Sequence, residues 1–453
     1  MFLPEYVKNC IDELSRAGFS AYAVGGAVRD GLLGLKPSDF DVTTSARPEE
    51  ILAVFSHRRT IPTGIKHGTI TVLFENGEKL SPIEITTFRI DGEYRDSRHP
   101  ESVFFSKNVR DDLSRRDFTV NAMAYNESEG IIDAHGGVRD LEARVIRAVG
   151  DPETRFNEDA LRILRAFRFA AQLEFEIEPS TLAATKACAP LLKNIARERI
   201  GVEFKKFLAS RGVSYALEKM IENGVWSALF SAAPAPVTAE KINAAAPTSA
   251  GAICAAVPLA DTDVTAKSSL AASNVTATSP LTAAETSAEI IARLSELSNG
   301  QFATRLAVLL ADLDIDARED FLNSLRLSNE EKRLVLRLCR VKEFEMPENK
   351  SAERLARHFL HLYGNVLPLA SEVLSFYNPC ASDFLRVLEL ENELKRPLEI
   401  SDIAVNGNDL LPLCRGDHKQ VGLILKSLLD SVIDDPALNT KEKLLSLAAS
   451  LIQ

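Results

Sequence analysis

The chain is poor in sulfur, tryptophan and histidine. Its 453 residues include six cysteines, four methionines, one tryptophan and seven histidines. The cysteines (Cys10, Cys188, Cys254, Cys339, Cys380 and Cys414) lie far apart and form no CxxC pair. That spacing argues against a zinc ribbon and a disulfide framework, and fits a reducing compartment. None of the histidines is followed by aspartate, so no His-Asp metal pair occurs. No GxxxxGK[ST] phosphate loop is present, which disfavours a plain metabolic kinase. No long run of strongly apolar residues could span a bilayer. The N-terminal stretch MFLPEYVKNCIDELSRAG carries charge throughout and reads as a helix, not a signal peptide. A basic excess is also missing: 53 Lys and Arg face 64 Asp and Glu, for a net charge of −11. The total therefore does not advertise a nucleic-acid partner, although phosphate binding depends on local potential. These features predict a cytoplasmic protein with no membrane partner.

What is present falls into two textures. Residues 1–125 mix short strands and helices. Tyr22-Ala23-Val24 reads as a strand, 27–34 as a helix, and Phe40-Asp41-Val42-Thr43 as a strand. Thr69 to Phe74 and Ile83 to Phe88 are strand-like and joined by an Asn76-Gly77 hairpin signal. From about 151 the pattern turns helical. Glu158 to Ala171 reads as one helix, with further helices at 180–190, 197–209, 212–222, 286–314, 317–325, 328–342, 351–362, 419–434 and 440–451. Residues 231–285 are dominated by Ala, Ser, Thr and Pro and read as a linker or insertion with little to build a core from. The fold expected is α+β: a head with a small mixed β-sheet, then an all-α neck, body and tail. Boundaries are expected at 1–140, 141–210, 211–345 and 346–453.

The chemistry begins at Asp39-Phe40-Asp41. In a strand, residues i and i+2 share a face, which presents two carboxylates together. Like charges that close resist joint ionisation unless a cation compensates, and a pair of Mg²⁺ ions does so. Glu84, on a later strand, can complete the group across the sheet. An exposed acidic turn is the plain alternative for the aspartates. Gly25-Gly26 follows a strand and opens a helix, where backbone amides can approach phosphate; a simple tight turn is the alternative. Arg29, on the first helical turn, can reach a triphosphate or pair with Asp30.

Taken in order, these motifs resemble one family. Gly25-Gly26-Ala27-Val28-Arg29-Asp30, then Leu32-Leu33-Gly34, Pro37 and Asp39-Phe40-Asp41-Val42, resemble the nucleotidyltransferase signature of bacterial tRNA CCA-adding enzymes and poly(A) polymerases. Arg115-Arg116-Asp117-Phe118-Thr119-Val120-Asn121-Ala122 is similar to their second signature, and Glu84 to Arg89 to their third-carboxylate strand. Glu158-Asp159-Ala160-Leu161-Arg162 resembles the motif that reads the incoming base. The match in order and spacing spans roughly residues 20–210.

The resemblance implies a template-independent transfer of CMP and AMP from CTP and ATP to the 3′ end of tRNA, with pyrophosphate leaving. Asp39 and Asp41 would hold two Mg²⁺, with Glu84 as third ligand. Gly25, Gly26 and Arg29 would face the phosphates, and Arg116, Asp117 and Asn121 the ribose and triphosphate. Asp159 and Arg162, three apart on a helix, would read the base edge: a carboxylate accepts from cytosine N4, and a guanidinium donates to ring acceptors. A local Asp159–Arg162 ion pair is the plain alternative. The stretch 89–105 resembles the loop that serves the switch from C to A, with Arg95, Asp96 and Arg98 as candidates. Leu309 to Leu313 resembles a hydrolase-type metal region in which Ala311 replaces the metal-binding His, so no second hydrolytic centre is expected. His358 and His361 read as structural or surface residues. Residues 403–451 are similar to the tail that helps hold the tRNA elbow. The implied partner is tRNA, at its 3′ end, acceptor and elbow, with no role for DNA. Two readings stay beside this one: a poly(A) polymerase, and an enzyme that adds only the terminal A.

Overall fold

The computed structural model describes residues 3–62, 64–77, 79–92, 103–230, 291, 293–298, 301–347 and 351–452. The Ala/Ser/Thr/Pro-rich segment 231–285 and the loop residues Arg95, Asp96 and Arg98 lie outside these.

The head opens with α1 (Glu5–Arg16), β1 (Ala21–Val24), α2 (Gly26–Leu32), β2 (Asp41–Thr44) and α3 (Pro48–Val54). It continues through β3 (Thr60–Ile61), β4 (Thr69–Asn76), β5 (Lys79–Thr87), β6 (Arg89–Asp91), β7 (Val103–Phe105) and α4 (Val109–Ser114). It ends with β8 (Met123–Asn126), β9 (Gly130–Asp133) and α5 (Gly137–Glu142). Seven strands form one mixed sheet in the order β3-β4-β5-β2-β1-β8-β9. Only β2 and β5 run parallel; every other neighbouring pair in this sheet is antiparallel. The Asn76-Gly77 signal marks a real hairpin: Asn76 pairs with Lys79, and Gly77 sits at φ 64°.

Alternation gives the sheet two unlike faces. Ala21, Ala23, Val42, Ile70, Val72, Phe74, Ile83 and Ile85 are buried in a core shared with Val7, Cys10, Ile11 and Leu14 of α1 and Ile51 of α3. The opposite face carries Asp41, Thr43, Thr69, Thr71, Glu84 and Thr86. At one end of that face a small apolar cluster of Tyr22, Val24, Phe88, Val109, Leu113 and Ala124 seats α4. The stretch 89–105, read as a polar loop, is a paired ribbon at its two ends, with Ile90 opposite Phe104.

Behind the head, β10 (Val145–Ile146) pairs with β11 (Glu176–Ile177), and helices take over: α6 (Pro152–Glu158), α7 (Leu161–Leu173), α8 (Pro179–Cys188), α9 (Arg197–Leu208), α10 (Val213–Glu222) and α11 (Val225–Phe230). The helix expected from Glu158 to Ala171 starts later, at Leu161, and a separate helix, α6, ends at Glu158. The chain breaks at Asp159, whose backbone is extended (φ −142°, ψ 102°) and whose carboxylate accepts from the Leu161 amide instead of continuing the turn. Beyond residue 300 the helices Ile315–Ser324, Asn329–Cys339 and Ala352–Tyr363 match the sequence pattern, and Leu367–Tyr377 and Ser382–Glu393 are additional. The single helix expected over 286–314 is interrupted: a short turn at Leu294–Glu296 ends in extended backbone at Leu297, and helix Phe302–Leu310 follows. One apolar core runs from Leu3 to Leu388 through head, neck and body. Residues Ile403 to Ala448, including helices His418–Asp434 and Lys441–Ile452, form a separate core.

One close approach ties α9 to the body. A Cβ added at Gly201 would lie 2.2 Å from the Leu325 carbonyl oxygen. Gly201→Ala must therefore push α9 off the end of helix Ile315–Ser324. The expected cost is about 1–3 kcal/mol, the scale of overpacking a filled interior. Urea unfolding checks this; an unchanged midpoint would contradict it.

Candidate active site

Asp41 and Glu84 face each other across the one parallel junction of the sheet, as direct register partners. Neighbouring strands lie about 4.8 Å apart, so the two side chains rise side by side from the threonine face. Asp39 lies just before β2, in the turn that feeds it, where its Oδ1 accepts from the Ser38 hydroxyl at 2.9 Å. All three carboxylates are exposed. Solvent reaches Asp41 from the open face, yet the surrounding walls displace much of its water. Its carboxyl is raised to about 6, first by burial, then by the Glu84 charge, with Asp39 adding and Arg116 opposing. Among the described residues, no three His, Cys, Asp or Glu already form a metal-holding cluster. The donor set nonetheless fits a hard divalent cation: three oxygen ligands, two of them in register and mutually repelling.

Gly25 closes one side. Its φ of 69° with ψ −132° is open only to glycine. A Cβ there would stand 3.0 Å from Nη1 of Arg116. Its own amide donates to the Met123 carbonyl, so it is not free for phosphate. Arg116 is held from below by Asp112, 3.2 Å away, which is fully buried and also takes two bonds from Arg115 and one from Thr43. Burial works against the Asp112 charge, but Arg116 and Arg115 outweigh it and lower its pKa. Arg29 is buried and pairs with Asp30, as one sequence reading allowed; its Nη1 also donates to Asn121 Oδ1 at 2.7 Å. Gly26, the first residue of α2, is packed near the same guanidinium.

Asp117 is saturated. Its Oδ1 accepts from the Phe118 amide (2.8 Å) and Asn121 Nδ2 (3.2 Å), and its Oδ2 from Nε and Nη2 of Arg165 (2.8 and 2.6 Å). A carboxylate offers about four acceptor sites, so none is left for a ribose hydroxyl in this arrangement. Burial opposes its charge, but Arg165, Arg162 and the Phe118 amide hold it at about 2. Arg165 and Arg168 continue to Glu203 of α9 at 3.6 and 2.6 Å. Arg29, Arg165 and Arg168 all stand over the Phe169 ring, the nearest at 3.9 Å.

Asp159 stands in extended backbone just ahead of α7, which carries Arg162, and among the described contacts the two side chains do not pair with each other. Arg162 instead donates to Glu158 Oε2 (2.6 Å), the Arg155 carbonyl (3.1 Å) and the Arg115 carbonyl (2.7 Å). Asp159 pairs with Arg199 of α9 at 2.8 Å. Asp112, Arg199 and Glu203 were not picked out from the sequence. Asp112 had a readable signal, sitting three and four residues before an arginine pair on a helix. Arg199 and Glu203 had none, since their partners lie 35 or more residues away.

Three family models match consecutive parts of the chain: the poly A polymerase head domain over residues 21–147, an RNA- and SrmB-binding segment of polymerase A over 174–240, and tRNA nucleotidyltransferase domain 2 over 301–448. The chain belongs to the tRNA nucleotidyltransferase and poly(A) polymerase family. A CCA-adding enzyme of Bacillus licheniformis is 49% identical over 217 residues, 48% of this chain and 53% of the relative. One from Limosilactobacillus fermentum is 47% identical over 222 residues, 49% of this chain and 54% of the relative. The chain thus matches about half the length of these curated relatives. The Bacillus stearothermophilus CCA-adding enzyme in complex with CTP superposes with TM-score 0.74 at 27% identity, covering 100% of this chain and 98% of that one. The Thermotoga maritima CCA-adding enzyme complexed with tRNA shares the fold, at TM-score 0.61 and 21% identity over 98% of this chain and 94% of that one.

In this member of the nucleotidyltransferase family, Ala311 is buried and its carbonyl accepts from Arg318 at 2.6 Å, while Asp312 pairs with Lys342. His358 and His361 serve packing: His358 Nε2 meets Asp434 at 2.7 Å, and His361 Nδ1 meets the Leu398 carbonyl at 2.6 Å.

The raised Asp41 carboxyl gives a signed pH dependence. A carboxyl free in the unfolded chain titrates near 3.8, and in the folded protein at about 6. The folded state therefore binds the extra proton between these values, so this group's favourable contribution is full below the lower one and lost by the upper. In chelator-treated protein, Asp41→Asn should raise Tm above pH 6 and converge with the parent below about pH 4. The same Tm difference at every pH would contradict this reading.

Proposed function

We propose that the protein transfers CMP and AMP from CTP and ATP to the 3′ end of tRNA, building or repairing its CCA terminus. The observation that carries this reading is the Asp41–Glu84 register on one open face, with Arg116 and Gly25 at its edge. The RNA 3′-oxygen attacks the α-phosphorus, a new O–P bond forms, the bond to the bridging oxygen breaks, and pyrophosphate leaves. Asp39, Asp41 and Glu84 would hold Mg²⁺, two ions by the family resemblance. Bound there, the metal lowers the pKa of the attacking hydroxyl and screens the triphosphate charge.

The chain's own groups do the rest. Arg116, braced by Asp112, supplies positive charge beside Asp41. Gly25 and Gly26, which would face the phosphates, let the Arg116 and Arg29 guanidinium groups stand close to the backbone where a side chain would press on them. Arg29 and Asn121 lock α2 to the turn that carries Arg116, and Asp117 acts by fixing Asn121 and Arg165. Asp159 has two acceptor sites filled, by Leu161 N and Arg199, and two free for an exocyclic amino group. Arg162, with three of its five N–H groups committed, keeps two donors for a base edge. The tail beyond residue 400, with its own core, is the part assigned to the tRNA elbow. Among the described residues no helix is long and apolar enough to cross a membrane, in keeping with action in the cytoplasm. The match of the head to a poly A polymerase model keeps AMP-only tailing as the second reading.

Transcripts of tRNA lacking one, two or three terminal residues, incubated with CTP, ATP or both, separate these readings. The expected products are C, C and then A, followed by a stop. Long A tails on unrelated RNA would establish the second reading, and A added only after CC the A-adding enzyme. Asp41→Ala should reduce incorporation of both nucleotides by about 100-fold or more, the scale of losing one electrostatic group at a reacting centre. Near-parental rates in that variant would remove the carboxylate assignment.

A further inference from the structure

Asp159 is poorly placed to hold itself still. It sits at a break between α6 and α7, in extended backbone, and the only local partner of its carboxylate is the Leu161 amide. A fixed base edge requires a fixed acceptor, and the one group that fixes Asp159 is distant in sequence. Arg199 Nη2 reaches its Oδ2 at 2.8 Å from the first turn of α9, 40 residues on. α9 is a rigid support. Ile200, Phe204, Phe207 and Leu208 are buried in the main core, and Gly201 is pressed against Leu325.

We propose that Arg199 is a specificity-determining positioning residue, which orients the Asp159 carboxylate so that it accepts from the amino group of the incoming base; this rests on the nucleotidyl-transfer reading above. Two comparisons within the site support it. Asp117 takes four donors and has no acceptor site left, whereas Asp159 takes two and keeps two. Arg197, two residues before Arg199, spends its Nη1 on the Leu229 carbonyl, a bond that ties α9 to α11. Arg199 is different: its Nη1 is buried and has no hydrogen-bond partner among the described residues.

The chemistry sets the direction of the effect. A carboxylate accepts and does not donate. Cytosine N4 and adenine N6 carry hydrogens; uracil O4 and guanine O6 carry lone pairs, and would oppose an oriented carboxylate. Without Arg199, Asp159 can rotate about its own side chain and cease to penalise the wrong edge. The transfer step itself, on the sheet face of Asp41 and Glu84, has no direct dependence on Arg199.

The test is single-nucleotide incorporation on a tRNA lacking its three terminal residues, with CTP or UTP, in the full-length parent, Arg199→Ala and Arg199→Lys. Melting curves establish that each variant is folded. The expected result for Arg199→Ala is a CTP-over-UTP preference in kcat/KM reduced about 10- to 100-fold, KM for CTP raised about tenfold, and kcat at saturating CTP within about threefold of the parent. Arg199→Lys, which keeps the charge without the fork, should give an intermediate preference. If Arg199→Ala does not fold, a reduced preference at near-parental kcat in Arg199→Lys supports the proposal on its own. A preference equal to the parent's in a folded variant overturns it, as does a fall in kcat with the preference unchanged. Parent protein that transfers no nucleotide would instead overturn the nucleotidyl-transfer reading, and this inference with it.

Discussion

The parallel pairing of β2 with β5 is the constraint on which the site depends. It sets Asp41 opposite Glu84 and, in the same register, Thr43 opposite Thr86. A slip of one residue by either strand would turn its carboxylate into the apolar core and bring its apolar neighbour, Val42 or Ile85, to the other face. The hydrophobic pattern forbids that: Val42, Ile83 and Ile85 are at most 1% exposed, packed over α1 and α3. The core thus fixes the chemistry, because burying one face of the sheet determines what the other presents. The mutual repulsion of the two carboxylates is the cost, visible in the raised Asp41 carboxyl. A hard cation bound there would relieve that repulsion.

The head alone does not complete the site. A chain of buried charges runs from Glu203 on α9 through Arg165 to Asp117, then through Asn121 to Arg29 on α2. Beside it, Arg199 and Arg162 tie the break at Asp159 to α9 and to the Arg115 carbonyl. Buried ion pairs add little net stability, but removing one partner strands the other and costs several kcal/mol. Such a network enforces a single arrangement of neck against head. In the proposed reaction the nucleotide would meet a pocket whose walls belong to different segments of the chain, held in mutual register by α9.

Much of this was legible in the residues. The alternation from Thr69 to Phe74, the Asn76-Gly77 turn, and the order of the Gly25-Gly26, Asp39-Phe40-Asp41 and Arg116-Asp117 motifs pointed to a mixed sheet with an acidic face. The parallel register was not legible, since 43 residues separate Asp41 from Glu84 and no local pattern encodes the pairing. Glu158 to Ala171 misled because its alanines, leucines and arginines suit a helix, while Asp159 suits a cap better than a helix interior. The break at Asp159 comes from a side chain capping the Leu161 amide and from the Arg199 pair, a tertiary effect that outweighs local propensity. Helix Leu367–Tyr377 was missed for a related reason: it is apolar nearly all round, which blurs the period that marks a surface helix. Asp117 looked like a ligand by its motif, and only a count of its hydrogen bonds shows that its acceptors are full.

Because the β2–β5 register makes Asp41 and Glu84 neighbours, the two should act as one cation-binding unit. Mn²⁺ binding followed by electron paramagnetic resonance, in the presence of CTP, measures this directly in the parent, Asp41→Asn, Glu84→Gln and the double variant. The account predicts that each single change weakens binding, and that the double change costs clearly less than the sum of the two, the mark of a shared ligand. Glu84→Gln binding Mn²⁺ as the parent does, or strict additivity of the two losses, would contradict it.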